Sequence, residues 1–235
     1  MATTTALITI TSADLLSDEL ALTSSSTLTK AGVATPIADT SGLGRKTTAS
    51  TAEYTLFYAD DYTGSKAHKL YLKNTSVTPA EFFTVSNGDE TLGLLYAGDW
   101  ALIPWAAVNG TKATFTATVT GNWVLNDTTI FDGVTITATG ATEGIHVGNV
   151  MRAASYPNWV ASGTADAAEV TFTAKRSDYL GLIEVGADSD DWVTTTTGSG
   201  TMVIARDVVA VASANDIKIT PGQSANTVEY MLFHE

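Results

Sequence analysis

The chain has 235 residues, 44% of them apolar and only 16% charged, against about 25% charged in an average soluble domain. Its 25 acidic and 12 basic residues leave a net charge of −13, a field that repels phosphate backbones and anionic headgroups, so nucleic acid and membrane surfaces are excluded as expected partners. Cysteine is absent, which removes disulfides and thiolate metal sites, and the apolar content is too high for a disordered tail.

In chain order, Met1-Ala2-Thr3-Thr4-Thr5 has neither the basic start nor the apolar run of a signal peptide. No stretch approaches the ~20 apolar residues that span a bilayer. Leu7-Ile8-Thr9-Ile10-Thr11 predicts a strand, and Ser12-Ala13-Asp14-Leu15-Leu16 predicts the start of a short helix capped by Ser12. Residues 20–22 and 27–29 alternate as strands do. Residues 32–50, with Pro36, Gly42 and Gly44 and few large apolar groups, predict either a surface loop or an extended arm that wraps a neighbouring subunit.

From Glu53 the strand signal strengthens. Residues 54–58 and 69–73 are aromatic, β-branched or alternating runs, and Phe82-Phe83-Thr84-Val85-Ser86 leads into Asn87-Gly88, the strongest short hairpin signal. Residues 91–96 supply the return strand. Gly98-Asp99 then turns into a strand over 100–105, which Pro104 confines to an edge or an end. Far along the chain, Asp216-Ile217-Lys218-Ile219, a Pro221-Gly222 turn and residues 227–233 supply what looks like the missing half of this sheet. Seven or eight short strands at this spacing predict a mainly β protein, a jelly-roll-like β-sandwich.

Between these halves lies an expected small α+β insertion. Residues 112–119 alternate, Phe131-Asp132-Gly133-Val134 carries an Asp-Gly turn, and residues 143–155 break the pattern with Ile145, Val150, Met151 and Ala154 at helical spacing. Residues 169–175 and 201–205 add two strands. The expected organisation is therefore an N-terminal arm with first strands over 1–52, a discontinuous β-sandwich over 53–110 plus 207–235, and an inserted domain over 111–206.

Two stretches resemble virion structural proteins of marine tailed phages, those infecting cyanobacteria in particular. One is Lys69-Leu70-Tyr71-Leu72-Lys73-Asn74, Gly98-Asp99-Trp100-Ala101-Leu102-Ile103-Pro104-Trp105 and Thr227-Val228-Glu229-Tyr230-Met231-Leu232. In that family the Trp-containing strand runs almost directly into the Asp-Ile strand, whereas here Asp216-Ile217 arrives about a hundred residues late. The other is Thr118-Val119-Thr120-Gly121, residues 131–137, Tyr156-Pro157 and Val170-Thr171-Phe172-Thr173-Ala174-Lys175, which look like a small domain recurrent in phage head and tail proteins. This chain departs from that pattern after Lys175, with Ser177-Asp178-Tyr179-Leu180-Gly181 where Gly-rich sequence usually follows. The resemblance implies a virion part and assigns no catalytic residue.

The residues that could carry chemistry do not converge. His68, His146 and His234 form no metal-ligand spacing, and solvated or hydrogen-bonded imidazoles are the simpler reading. Asp60-Asp61 and Asp89-Glu90 are adjacent pairs that point apart rather than across a cleft. Asp188, Asp190 and Asp191 could gather calcium, but the loop lacks the Gly and terminal Glu of a helix-loop-helix site, and a solvated acidic loop is the simpler reading. Gly42-Leu43-Gly44-Arg45-Lys46-Thr47 fails the phosphate-loop spacing, and no nucleophile elbow is present. Trp100 and Trp105 bracket a strand expected to be buried, which favours core packing over sugar stacking.

The expectation is thus a non-enzymatic virion protein without cofactor, made in the host cytoplasm and assembled onto the particle. Capsid decoration or cementing is the leading role, and a tail, neck or fibre part or a carbohydrate- or receptor-binding module the alternative. Its partners would be copies of itself, as a trimer or other homo-oligomer, and the major capsid protein or tail proteins. Leu7, Ile8, Ile10, Leu28, Leu43, Trp100, Ile103, Trp105 and Trp192 are the interface candidates.

Overall fold

The computed structural model describes residues 3–13, 20–139, 142–179, 192–195, 198, 200–223 and 226–235. The chain is mainly β, with several antiparallel sheets and one α-helix among the described residues. It divides into two compact units, one made of residues 1–108 and 214–235, the other of residues 109–213.

The first unit holds two larger sheets. One runs in the order Tyr54–Phe57, Ile217–Pro221, Phe82–Asn87, Glu90–Tyr96. The other runs Asp39–Thr40, Thr227–His234, His68–Asn74, Trp100–Trp105, with Gly44–Thr47 also paired to Thr227–His234. Two of the inner strands alternate strictly. In His68–Asn74 every second residue is buried, and in Ile217–Pro221 the buried set is Ile217, Ile219 and Pro221. The inward faces of both sheets meet in one core, with Phe57, Phe83, Val85, Leu95, Ile217 and Ile219 from the first and Leu70, Leu72, Trp105, Val228 and Leu232 from the second.

The Asn87-Gly88 hairpin forms as its residues dictate. Gly88 sits at φ +60° with its N–H donating to the Asp216 carbonyl at 2.7 Å, and a Cβ there would meet the Ala214 carbonyl. Pro104 lies in an outermost strand, where its missing N–H leaves no ladder bond unmade.

One expectation is corrected here. Residues 32–50 are not a free arm or loop: Gly44–Thr47 pairs with residues 227–230, Ser41 exchanges hydrogen bonds with Leu232, and Ile37 and Thr48 are buried. The run has few large apolar residues because it is an edge segment, held mostly by backbone bonds, with Ile37 its one fully buried apolar side chain. Ser12 ends the strand Thr5–Ser12, and the short helix expected after it, at Asp14, Leu15 and Leu16, lies outside the described residues.

The second unit has a four-stranded sheet in the order Trp159–Ser162, Glu169–Ala174, Thr114–Thr120, Thr201–Val208, and a three-stranded sheet of Val134–Thr137, Thr128–Phe131 and Trp192–Thr195. Asp132 and Gly133 both take positive φ and close the hairpin between Phe131 and Val134. The helix Gly144–Ala153 buries Gly144, Val147, Gly148 and Met151, the i, i+3, i+4, i+7 stripe, and Val150 and Ala154 pack partly buried against the same core. The glycines decide this face: a Cβ at Gly144 would sit 2.1 Å from the Val119 carbonyl oxygen, so backbone packs on backbone. Beneath the helix, Phe115 and Phe172 stack with ring centroids 4.8 Å apart, and Phe131, Tyr156 and Trp159 pack around them. Burial pushes the Tyr156 phenol well above its ordinary pKa, and its hydroxyl donates to the Met151 carbonyl at 3.1 Å.

Candidate assembly surface

The residues with the chemistry of a contact surface gather at two places in the first unit. The first is a two-stranded ribbon, Thr5–Ser12 paired with Leu20–Thr27 in continuous register. Directly opposed residues of an antiparallel pair share a face, so Ile10 opposite Leu22, Ile8 opposite Ser24 and Ser12 opposite Leu20 define one side. That side carries Ala6, Ile8, Ile10, Leu20 and Leu22 with Ser12, Ser24 and Ser26 between them. The other carries Thr5, Thr9, Thr11, Thr23 and Thr27 around Leu7. No ribbon residue is buried, and Leu7 is 66% exposed. The ribbon strands contain no charged residue.

The second place is a cleft of about 290 Å³ between the outermost strands Glu90–Tyr96 and Trp100–Trp105. Leu92, Leu94 and Trp100, each half-exposed, stand at its rim, and Leu72 and Val85 reach it from the core. Ile103 lines it between them. Neither flanking edge invites a further strand. Register slips opposite Val85 and Ser86, leaving Leu92 as a bulge. The Asp99 carboxylate accepts the Tyr96 N–H at 3.0 Å, and the Asp99 N–H donates to the Tyr96 carbonyl at 2.9 Å. Pro104 removes a donor from the other edge. Blunted edges of this kind suppress strand addition, so the cleft is a surface for side chains.

Of the expected interface residues, Leu7, Ile8, Ile10, Leu43 and Trp100 are exposed and Ile103 is partly so. Two are corrected. Leu28 is 7% exposed, because its N–H donates to Thr4 and its carbonyl accepts from Ile37, folding it under a small closed loop. Trp105 is 4% exposed, with its indole N–H donating to the Asn215 carbonyl at 2.8 Å. Trp100 in turn is not core. Five positions separate the two tryptophans, an odd number, so strand alternation sends them to opposite faces. The Trp192 backbone pairs with Phe131; its side chain, and Asp188, Asp190 and Asp191, lie outside the described residues. Leu92 and Leu94 were not among the candidates, although two leucines flanking a glycine beside a hairpin tip carry the signal.

His68 is fully buried against Tyr62 and Trp105, and its Nε2–H donates to the Thr63 carbonyl at 3.2 Å. Its Nδ1 is buried without a hydrogen-bond partner. Burial holds its pKa below the ordinary value, with the neighbouring His234 pushing the same way. Among the described residues no group of three or more His, Asp or Glu could hold a metal ion, and no helix is long and apolar enough to cross a membrane. Compared with known proteins, the chain matches no family model, and no curated protein is significantly similar to it.

Proposed function

We propose that this chain is a structural, non-enzymatic part of a tailed-phage virion, a capsid decoration or cement protein that covers the head through subunit packing. The observation that carries the reading is the uncovered ribbon, whose two strands carry no charged residue and gather Ile8, Ile10, Leu20 and Leu22 on one side, on a chain of net charge −13. An isolated two-stranded hairpin is marginal in water, so its sequence makes physical sense once a neighbour covers it. Burial between subunits then stabilises the shell by mass action.

The first unit is best read as a jelly-roll sandwich. Counting its strands from Gly44–Thr47, the first pairs with the eighth, the second with the seventh, the third with the sixth and the fourth with the fifth. A ladder of four pairs folded over into two sheets is the jelly-roll pattern. The second unit then reads as a domain inserted between the sixth strand and the seventh. The resemblance to phage virion proteins rests on these same strands, and supports the same reading. The partners are other copies, as a trimer or another homo-oligomer, and the major capsid protein.

Imaging virions that carry a visible tag on Glu235 tests the proposal. Label spread over the head is the expected result. Label confined to tail, neck or fibres replaces decoration by the corresponding role, and particles without label overturn the virion reading altogether.

A further inference from the structure

Resting on the reading of this chain as an assembling subunit, we infer that its ribbon is exchanged: the Ile8, Ile10 and Leu22 side of one copy seats in the cleft between Glu90–Tyr96 and Trp100–Trp105 of a second copy. The two surfaces match in kind. The ribbon side presents aliphatic groups between serines and no charge, and the cleft offers Leu92, Leu94, Trp100 and Ile103, its one lining carboxylate, Asp99, being occupied by the Tyr96 N–H. Its blunted strand edges accept side chains and refuse a pairing backbone, which suits a ribbon whose two strands already pair with each other.

Charge limits where two copies can touch. Chains of net charge −13 repel overall, so contact between copies is least opposed where charge is sparse, as on the ribbon strands. Area selects the geometry. Strands of eight residues at ~3.4 Å each, set ~4.8 Å apart, offer a face on the order of 300 Å². A foreign partner using the ribbon alone would bury about 600 Å² in total, the size of a lattice contact. Two copies that each give a ribbon and receive one bury about 1,200 Å² in total, the lower bound of a specific interface.

The chain has no cysteine of its own, so single-cysteine variants report contacts cleanly. The full chain carrying Ile10→Cys is mixed with the full chain carrying Leu94→Cys under mild oxidation, with Val77→Cys, at a residue 94% exposed, in place of Leu94→Cys as the control. The expected result is a covalent dimer from the first mixture at several times the yield of the control, and sedimentation as an oligomer that Ile10→Asp with Leu22→Asp converts to monomer while the circular dichroism stays unchanged. Equal yields with Val77→Cys, disulfides formed only between two Ile10→Cys chains, or a wild-type chain that sediments as a monomer would each overturn the exchange. A monomeric chain still found on virions sinks the exchange alone; an exchanged oligomer absent from virions sinks the virion reading alone.

Discussion

The Asp216 carboxylate accepts the backbone N–H of Ala59 at 2.8 Å, and both residues are buried. The Asp216 carbonyl also accepts from Gly88 at 2.7 Å. One residue thus ties the turn after the strand Tyr54–Phe57 and the tip of the Asn87-Gly88 hairpin to the start of the strand Ile217–Pro221. A buried backbone donor stripped of its partner keeps its full desolvation cost. Asp216→Ala is therefore expected to lower the stability of the first unit by about 1.5–3 kcal/mol, the range for hydrogen bonds to a charged group, read from urea unfolding followed by tryptophan fluorescence.

Gly88→Ala is expected to cost more than about 1 kcal/mol, because the backbone stands at φ +60° and the new Cβ would lie 1.8 Å from the Ala214 carbonyl oxygen. Gly93→Ala is the matched control, since nothing lies within 4 Å of a Cβ there. Comparable melting temperatures for the two variants would contradict the account of the hairpin.

In the second unit, Phe172→Ala removes the ring stacked on Phe115 and touching Phe131 and Tyr156. The expected loss is about 3–5 kcal/mol, with Phe172→Leu much milder because it preserves most of the volume. Calorimetry on the full chain checks both. Arg45→Ala should be nearly silent by comparison, within about 1 kcal/mol: the Arg45–Glu229 pair is close, at 2.8 Å, but the arginine is solvated, and exposed pairs contribute little.

His68 gives the pH dependence. Its folded pKa lies below the unfolded value of about 6.5, first through burial. Between those two values the unfolded chain binds more protons than the folded one, so stability holds above pH 6.5 and falls as pH drops through that value toward the folded pKa. His68→Gln should flatten this dependence. Unfolding midpoints measured from pH 7.5 down to 5 would decide it; an unchanged acid slope in the variant removes His68 as the cause.

The strands between Tyr54 and Trp105 are legible from alternation and from Asn87-Gly88, whose positive-φ requirement is written in the residues themselves. The segment after Gly32 is not, because Gly44–Thr47 is held by the ladder on Thr227–His234 and hides nothing apolar from water. The helix position was legible, and Val150, Met151 and Ala154 do meet the core; the close approach at Gly144 and Gly148 was not, since glycines contribute no hydrophobic signal. For the contact surface, Ile8 and Ile10 announce themselves as apolar residues in a short strand. Which side they share with Leu20 and Leu22 depends on register, and register is set by pairing across the intervening residues rather than within either strand.

The strands Ile217–Pro221 and Thr227–His234 come last in chain order yet occupy inner positions, each flanked on both sides in its own sheet. During synthesis the second unit has its whole sequence available while the first still lacks the central member of both layers, and contacts of such long sequence separation form slowly. A ribosome that stops anywhere before Ile217 leaves five neighbouring strands with open gaps where those two belong. Incomplete products are therefore unable to close the body that presents the ribbon, and their unpaired strands leave them open to proteolysis.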